Sequence, residues 1–156
     1  MWQFWSVLLT AMMPVSELRG AIPLAIGAYH WPVWQAYLIS VIGNIIPPIL
    51  ILIFLKRLSD FLSKRWKFAE RFFSRLFKRT EMKYRKMIEK WGPLALIIFV
   101  AIPLPFTGAW TGSLVAFVFD LPFKKSIALI FIGVLIAGIL VTLASLGVFT
   151  FFNKII

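Results

Sequence analysis

The chain has 156 residues, 61% of them hydrophobic, and a formal charge of +11 with only six acidic side chains; its mean hydropathy is +0.91. That composition lies far outside the soluble globular range and predicts one membrane domain, residues 1–156, with no separate soluble domain. With no cysteine and one histidine, disulfides, thiol chemistry and a metal-ligand cluster are excluded, and no nucleophile–base pair can be assembled, so no enzyme, metal or cofactor is expected.

The apolar start, Met1 to Met13, lacks the basic region and cleavage site of a signal peptide and is expected to belong to the mature fold. It is too short to cross the hydrocarbon, which takes about 20 residues. A break follows: Pro14-Val-Ser-Glu17-Leu-Arg19-Gly20-Ala-Ile-Pro23. Prolines remove donors and glycine lowers the cost of non-helical dihedrals, so a continuous helix is not expected here. Glu17 is the only carboxylate outside the basic connection and the Asp120 junction, and burying it ionised without a partner is expensive. Two readings stay open. One is a structural ion pair with Arg19; the other is a protonatable coupling group, with Arg19 meeting an anionic substrate group.

After the short apolar piece Leu24 to Ala28, His30 is read as an interfacial side chain. Val33 to Leu55 is long enough to span and carries no ionisable side chain. Asn44 and Pro47-Pro48 put an amide and a kink in its middle; Asn44 either satisfies freed backbone groups or touches substrate.

Thirteen of the seventeen Lys and Arg lie between Lys56 and Lys90. That clustering predicts a cytoplasmic segment by the positive-inside rule, and no recognition motif accompanies it that would indicate nucleic acid. Leu58, Phe61, Trp66, Ala69, Phe72, Phe73, Leu76, Phe77, Met87 and Ile88 recur at helical spacing. They predict a basic amphipathic helix lying on anionic membrane lipid, with a second helix starting at Thr80.

The second break reads Pro103-Leu-Pro105-Phe-Thr107-Gly108-Ala-Trp110-Thr111-Gly112, between the short pieces Trp91 to Ile102 and Leu114 to Phe119. It offers hydroxyls, an indole and backbone amides without charge. A half-helix starting near Gly112 would aim its positive end at an anion; alternatively the small residues serve close helix packing. Asp120 reads as a helix N-cap paired with Lys124. Ser126 to Phe152 is the second full span.

The two halves align in order: Pro14 with Pro103, Gly20-Ala21 with Gly108-Ala109, Trp31-Pro32 with Leu121-Pro122, and Gly43 with Gly133, at offsets between 88 and 90 residues. The fold expected is all-α, with two inverted-topology repeats, 1–55 and 91–156, joined by the basic connection 56–90. Each repeat is a re-entrant helical hairpin plus one full transmembrane helix. In the competing reading Met1 to Ala28 and Trp91 to Phe119 are kinked full spans, giving four crossings. The hairpin reading leaves both termini outside, with Trp2, Trp5, Trp31 and Trp34 in the outer aromatic belt and Trp66 and Trp91 at the inner interface. Gly43, Gly133 and Gly138 offer close helix contact for a homodimer.

The stretch Glu17-Leu-Arg19-Gly20-Ala21-Ile22-Pro23, a basic connection, and Pro103-Leu-Pro105-Phe106-Thr107-Gly108-Ala109-Trp110-Thr111-Gly112 together resemble the small multidrug export protein family of prokaryotic membrane proteins. That family is similar to the DedA and VTT-domain proteins, whose membrane domains contain paired re-entrant hairpins and which include candidates for moving lipid carriers. By this resemblance Glu17, Arg19, Gly20 and Pro23 match the acidic first-hairpin motif. Around the second break, where DedA-like proteins carry arginines, this chain has Pro, Thr, Gly and Trp. The function expected is proton-coupled transport of an amphipathic, lipid-like anionic substrate across the cell membrane. Its site would be Glu17, Arg19, Gly20, Pro23 and Asn44 with Pro103, Pro105, Thr107, Gly108, Trp110, Thr111 and Gly112. The alternatives are export of hydrophobic cations, with Glu17 as counter-charge and Trp110 as a cation–π face, and a lipid-binding anchor that transports nothing.

Overall fold

The computed structural model describes residues 1–103 and 107–155, and these are all-helical. Helix α1 (Trp2–Met12) stops because Pro14 disfavours helical dihedrals at Met13, whose ψ is 139°. Helix α2 (Glu17–Pro23) relaxes into a π turn at Leu24–Ala28, directly after Pro23 withdraws its N–H from the ladder. α1 and α2 are antiparallel arms of one hairpin. Its tip is closed by the Ser16 hydroxyl donating to the Thr10 carbonyl at 2.7 Å, and its open end by the Tyr29 hydroxyl donating to Ser6 Oγ at 3.0 Å.

Pro32 starts α3 (Val33–Arg65), which runs 33 residues, well past Leu55 and into the basic connection. A single extended residue, Trp66, makes the elbow to α4 (Lys67–Trp91). Thr80 does not start a helix; it lies inside α4 and its hydroxyl donates back to the Leu76 carbonyl. Gly92, at φ 56°, ends α4. A 3₁₀ turn, Gly92–Leu94, leads into α5 (Ala95–Ala101), which stops before Pro103 as α1 stopped before Pro14. Helix α6 (Ala109–Val118) follows, then α7 (Phe123–Ile155), again of 33 residues.

Asp120 is not the N-cap of α7. It sits at φ 51°, its N–H donates to Phe117 and that of Leu121 to Ala116, so it closes the C-terminus of α6 in a Schellman arrangement. His30, ninety positions earlier, takes the same left-handed conformation, φ 54°, before its own X-Pro step.

α3 and α7 pack antiparallel. Val33 and Trp34 share a groove with Thr142 and Leu143, the Tyr37 hydroxyl donates to the Leu135 carbonyl at 3.0 Å, and Leu52 shares a cavity with Phe123. Each long helix receives a short helix, α1 or α5, at a glycine in the same way. A Cβ on Gly43 would lie 2.8 Å from both Ala11 Cβ and the Leu8 carbonyl; one on Gly133 would lie 2.7 Å from Val100 Cβ and 3.1 Å from the Ile97 carbonyl. A Cβ on Gly138 would meet the Tyr37 ring at 2.7 Å. These three glycines are therefore consumed by packing within the chain, so they are not the free contact points for a second copy that the sequence suggested.

The interior is rich in small residues, including Ala11, Ala21, Ala25, Ala36, Ala95, Ala109 and Ala116, which let the backbones approach closely. Outward faces are apolar instead. The long apolar windows, Val33–Leu55 and Phe123–Val148, are only 33% and 44% buried, which suits lipid and not water.

The apolar stripe of α4 is directed largely at the protein rather than at lipid. Phe77 meets Phe117 at 5.3 Å between ring centroids and Tyr84 meets Phe99 at 4.8 Å, while Phe68 and Phe72 stay exposed beside Trp66.

Candidate functional site

The two breaks meet in the protein interior. Glu17 sits at φ 45° at the tip of the first hairpin and is 5% exposed. Its carboxylate lies against the start of α6, at the second break, where the Trp110 backbone N–H donates to Oε1 at 3.4 Å. The first N–H groups of a helix have no intrahelical acceptor and carry the positive end of its dipole, so a carboxylate from another segment is a fitting cap. The half-helix starts at Ala109, not near Gly112, and the anion it holds is Glu17 of the same chain.

Gly108 makes this approach possible. Its φ is 127°, a conformation essentially restricted to glycine, and a Cβ there would collide with the Glu17 carboxylate. Two more contacts lock the tips together. The Trp110 indole N–H donates to the Met12 carbonyl at 2.9 Å, and Arg19 Nη2 donates to the Thr107 carbonyl at 3.4 Å. Thr107 is itself tied to the Ile102 carbonyl by its hydroxyl at 2.8 Å. Among the described residues the ion pairs join Arg85 to Glu81 and Glu89, so the ion pair between Glu17 and Arg19 is not formed. Both side chains reach across to the second break instead.

Three spaces surround this junction. The smallest, about 10 Å³, lies in the interior among Glu17, Arg19, Asn44, Pro103, Thr107 and Gly108. A cleft of about 790 Å³ opens beside Ile51 and Leu55 of α3; it is lined by Arg19, Gly20, Trp110 and Thr111, and Leu76 of α4 borders it. A second cleft, of about 450 Å³, opens beside Ala144 and Val148 of α7 and is lined by Arg19, Pro23 and Pro103. Because α3 and α7 are antiparallel, the two clefts face opposite ends of the molecule. Arg19 lines both and is the sole charged side chain in either lining among the described residues.

Of the residues singled out from the sequence, Glu17, Arg19, Gly20, Pro23, Asn44, Pro103, Thr107, Gly108, Trp110 and Thr111 line these spaces. Gly112 instead packs under Val100 and Ile130. Pro105 lies outside the described residues. Sequence reasoning missed the Met12 carbonyl, although Pro14 marks the point where α1 must stop and leave acceptors free. It also missed the cleft walls supplied by Ile51, Leu55, Leu76 and the last turns of α7, which carry no local signal.

An all-helical chain with two long, outward-apolar helices and broken segments packed between them defines a membrane protein. Residues 17–140, more than half of the chain and including Glu17, Arg19, Gly108 and Trp110 of the junction just described, match the small multi-drug export protein family, and the chain belongs to that family. No curated protein and no solved structure matches it.

Proposed function

We propose that this protein is a transporter that carries an anionic amphiphile across the membrane, its charged group on Arg19 and its apolar part along the clefts, with Glu17 as the proton-carrying coupling group. The observation that carries the reading is the position of Arg19, among the described residues the one cation bordering two apolar clefts that face opposite ends of the molecule. An apolar cleft with one fixed charge suits a ligand with one opposite charge and a hydrocarbon body. The contacts of Glu17 and Trp110 across the hairpin tips bar direct passage between the clefts. Protonating Glu17 would remove the charge that α6 holds and loosen that bar.

In the bilayer we place the protein as two inverted repeats, each a re-entrant hairpin plus one spanning helix, with residues 56–90 cytoplasmic. Three observations support this. Four crossings would run α3 and α7 parallel, whereas they pack antiparallel. The 11 residues of α1 cover roughly 16 Å, about half of the ~30 Å hydrocarbon. The glycine seats at Gly43 and Gly133 repeat the same contacts. The basic α3–α4 elbow, with exposed Trp66, Phe68 and Phe72, would meet anionic lipid.

Reconstituted protein should translocate a fluorescent single-chain lipid phosphate, and Arg19→Ala should abolish this while Arg19→Lys retains part of it. Undiminished transport by Arg19→Ala would overturn the reading. Trp110 in the larger cleft favours a second reading, binding of hydrophobic cations to its ring. Under that reading Arg19→Ala raises cation transport.

A further inference from the structure

Asn44 carries one acceptor oxygen for which the fold supplies no donor and a second whose usual helical donors are missing. It is 1% exposed, and its side-chain Oδ1 has no protein partner. Its backbone carbonyl would be met in a helix by the N–H of residue 47 or 48; both are proline and have none. An unmet acceptor in a dry interior is costly, whereas one water can satisfy two of them. Asn44 borders the 10 Å³ space it shares with Glu17 and Thr107, which is about the volume one water needs.

The pattern continues along α3. Ser40, one turn earlier on the same face, is completely buried, and its hydroxyl has no protein partner either. A turn beyond that, Tyr37 borders the groove at the Val33 end of the helix. At the matching positions of α7, ninety residues on, stand Ile130 and Val134, both buried and unable to hold water. The buried polar residues that α7 does carry, Ser126, Thr142 and Ser145, lie at other positions. Among the described residues Arg19 is the only other charged group that borders the space around Glu17, the remaining lining from α2, α3, α5, the second break and α7 being uncharged.

We propose that Ser40 and Asn44 seat buried water on a proton route that runs from the Val33 end of α3 to Glu17. This rests on the coupling role proposed for Glu17. It assigns Ser40 and Asn44 as positioning residues and makes proton access one-sided.

The test is infrared difference spectroscopy on the full-length protein in lipid, following a protonated-carboxyl band after a pH jump, with Glu17→Gln identifying the band. Asn44→Leu should slow the appearance of the band on the order of a hundredfold, the usual contribution of a positioned proton-transfer group. Ser40→Ala should slow it by less. Asn44→Ser, which keeps an oxygen and leaves room for water, should restore most of the rate. Ser126→Ala removes a third buried hydroxyl without a protein partner, off this row, and should leave the rate unchanged. If the Glu17 band appears at an unchanged rate in both Ser40→Ala and Asn44→Leu, the route is wrong and the coupling role of Glu17 survives. If no band is lost in Glu17→Gln, the coupling role fails and the route with it.

Discussion

Replacing Gly108 with alanine tests the meeting of the two breaks at its tightest point. The new Cβ would force a non-glycine residue into φ 127°, at a cost of about 1–3 kcal/mol. It would also displace the Glu17 carboxylate, sacrificing a charge-assisted hydrogen bond worth about 1.5–3 kcal/mol. Together Gly108→Ala should destabilise the fold by about 2.5–6 kcal/mol. In a Glu17→Ala background the collision is gone and only the backbone cost of about 1–3 kcal/mol should remain. The difference, about 1.5–3 kcal/mol, is the coupling energy between the two positions. It is read from a double-mutant cycle of unfolding in mixed micelles followed by circular dichroism. Additive effects of the two substitutions would show that Glu17 does not sit on the α6 N-terminus.

The antiparallel course of α3 and α7 predicts that Leu52→Cys and Phe123→Cys, introduced into this cysteine-free chain, are joined by a short bismaleimide within one chain, while Leu52→Cys and Leu143→Cys are not. The opposite pattern, read by gel mobility after a protease cut in the connection, would mean a parallel pair. Gly43→Ala and Gly133→Ala should each destabilise by about 1–3 kcal/mol through overpacking, and by similar amounts, since each seat receives the same two kinds of atom. Gly147→Ala, with nothing within 4 Å of the added carbon, should be neutral or stabilising in the same unfolding assay.

The membrane class was legible because hydropathy is additive along a chain: Val33 to Leu55 and the long apolar stretch through α7 stand out without any knowledge of their neighbours. The stops were legible too, since Pro14 and Pro103 act on the residue just before them. Gly108 was visible as a helix breaker, but its service to Glu17 was not. The reach of α3 to Arg65 was missed because charged residues end a membrane span without ending a helix.

By itself, then, the sequence determined what each residue enforces locally: which stretches favour lipid, where the ladder must break, and that the first break carries charge while the second does not. The tertiary structure decided the partners. Glu17 and Arg19 are two residues apart, and chain order left open whether they pair with each other or meet a proton and a substrate. In the fold each instead finds backbone groups about ninety positions away, at Trp110 and Thr107. A helix terminus becomes a site for an anion only once another segment is packed against it, and no local pattern records which segment that will be. The same holds for the apolar stripe of α4 and for Gly43 and Gly133. Spacing showed that each would be covered, and only the packing of the hairpins showed by what.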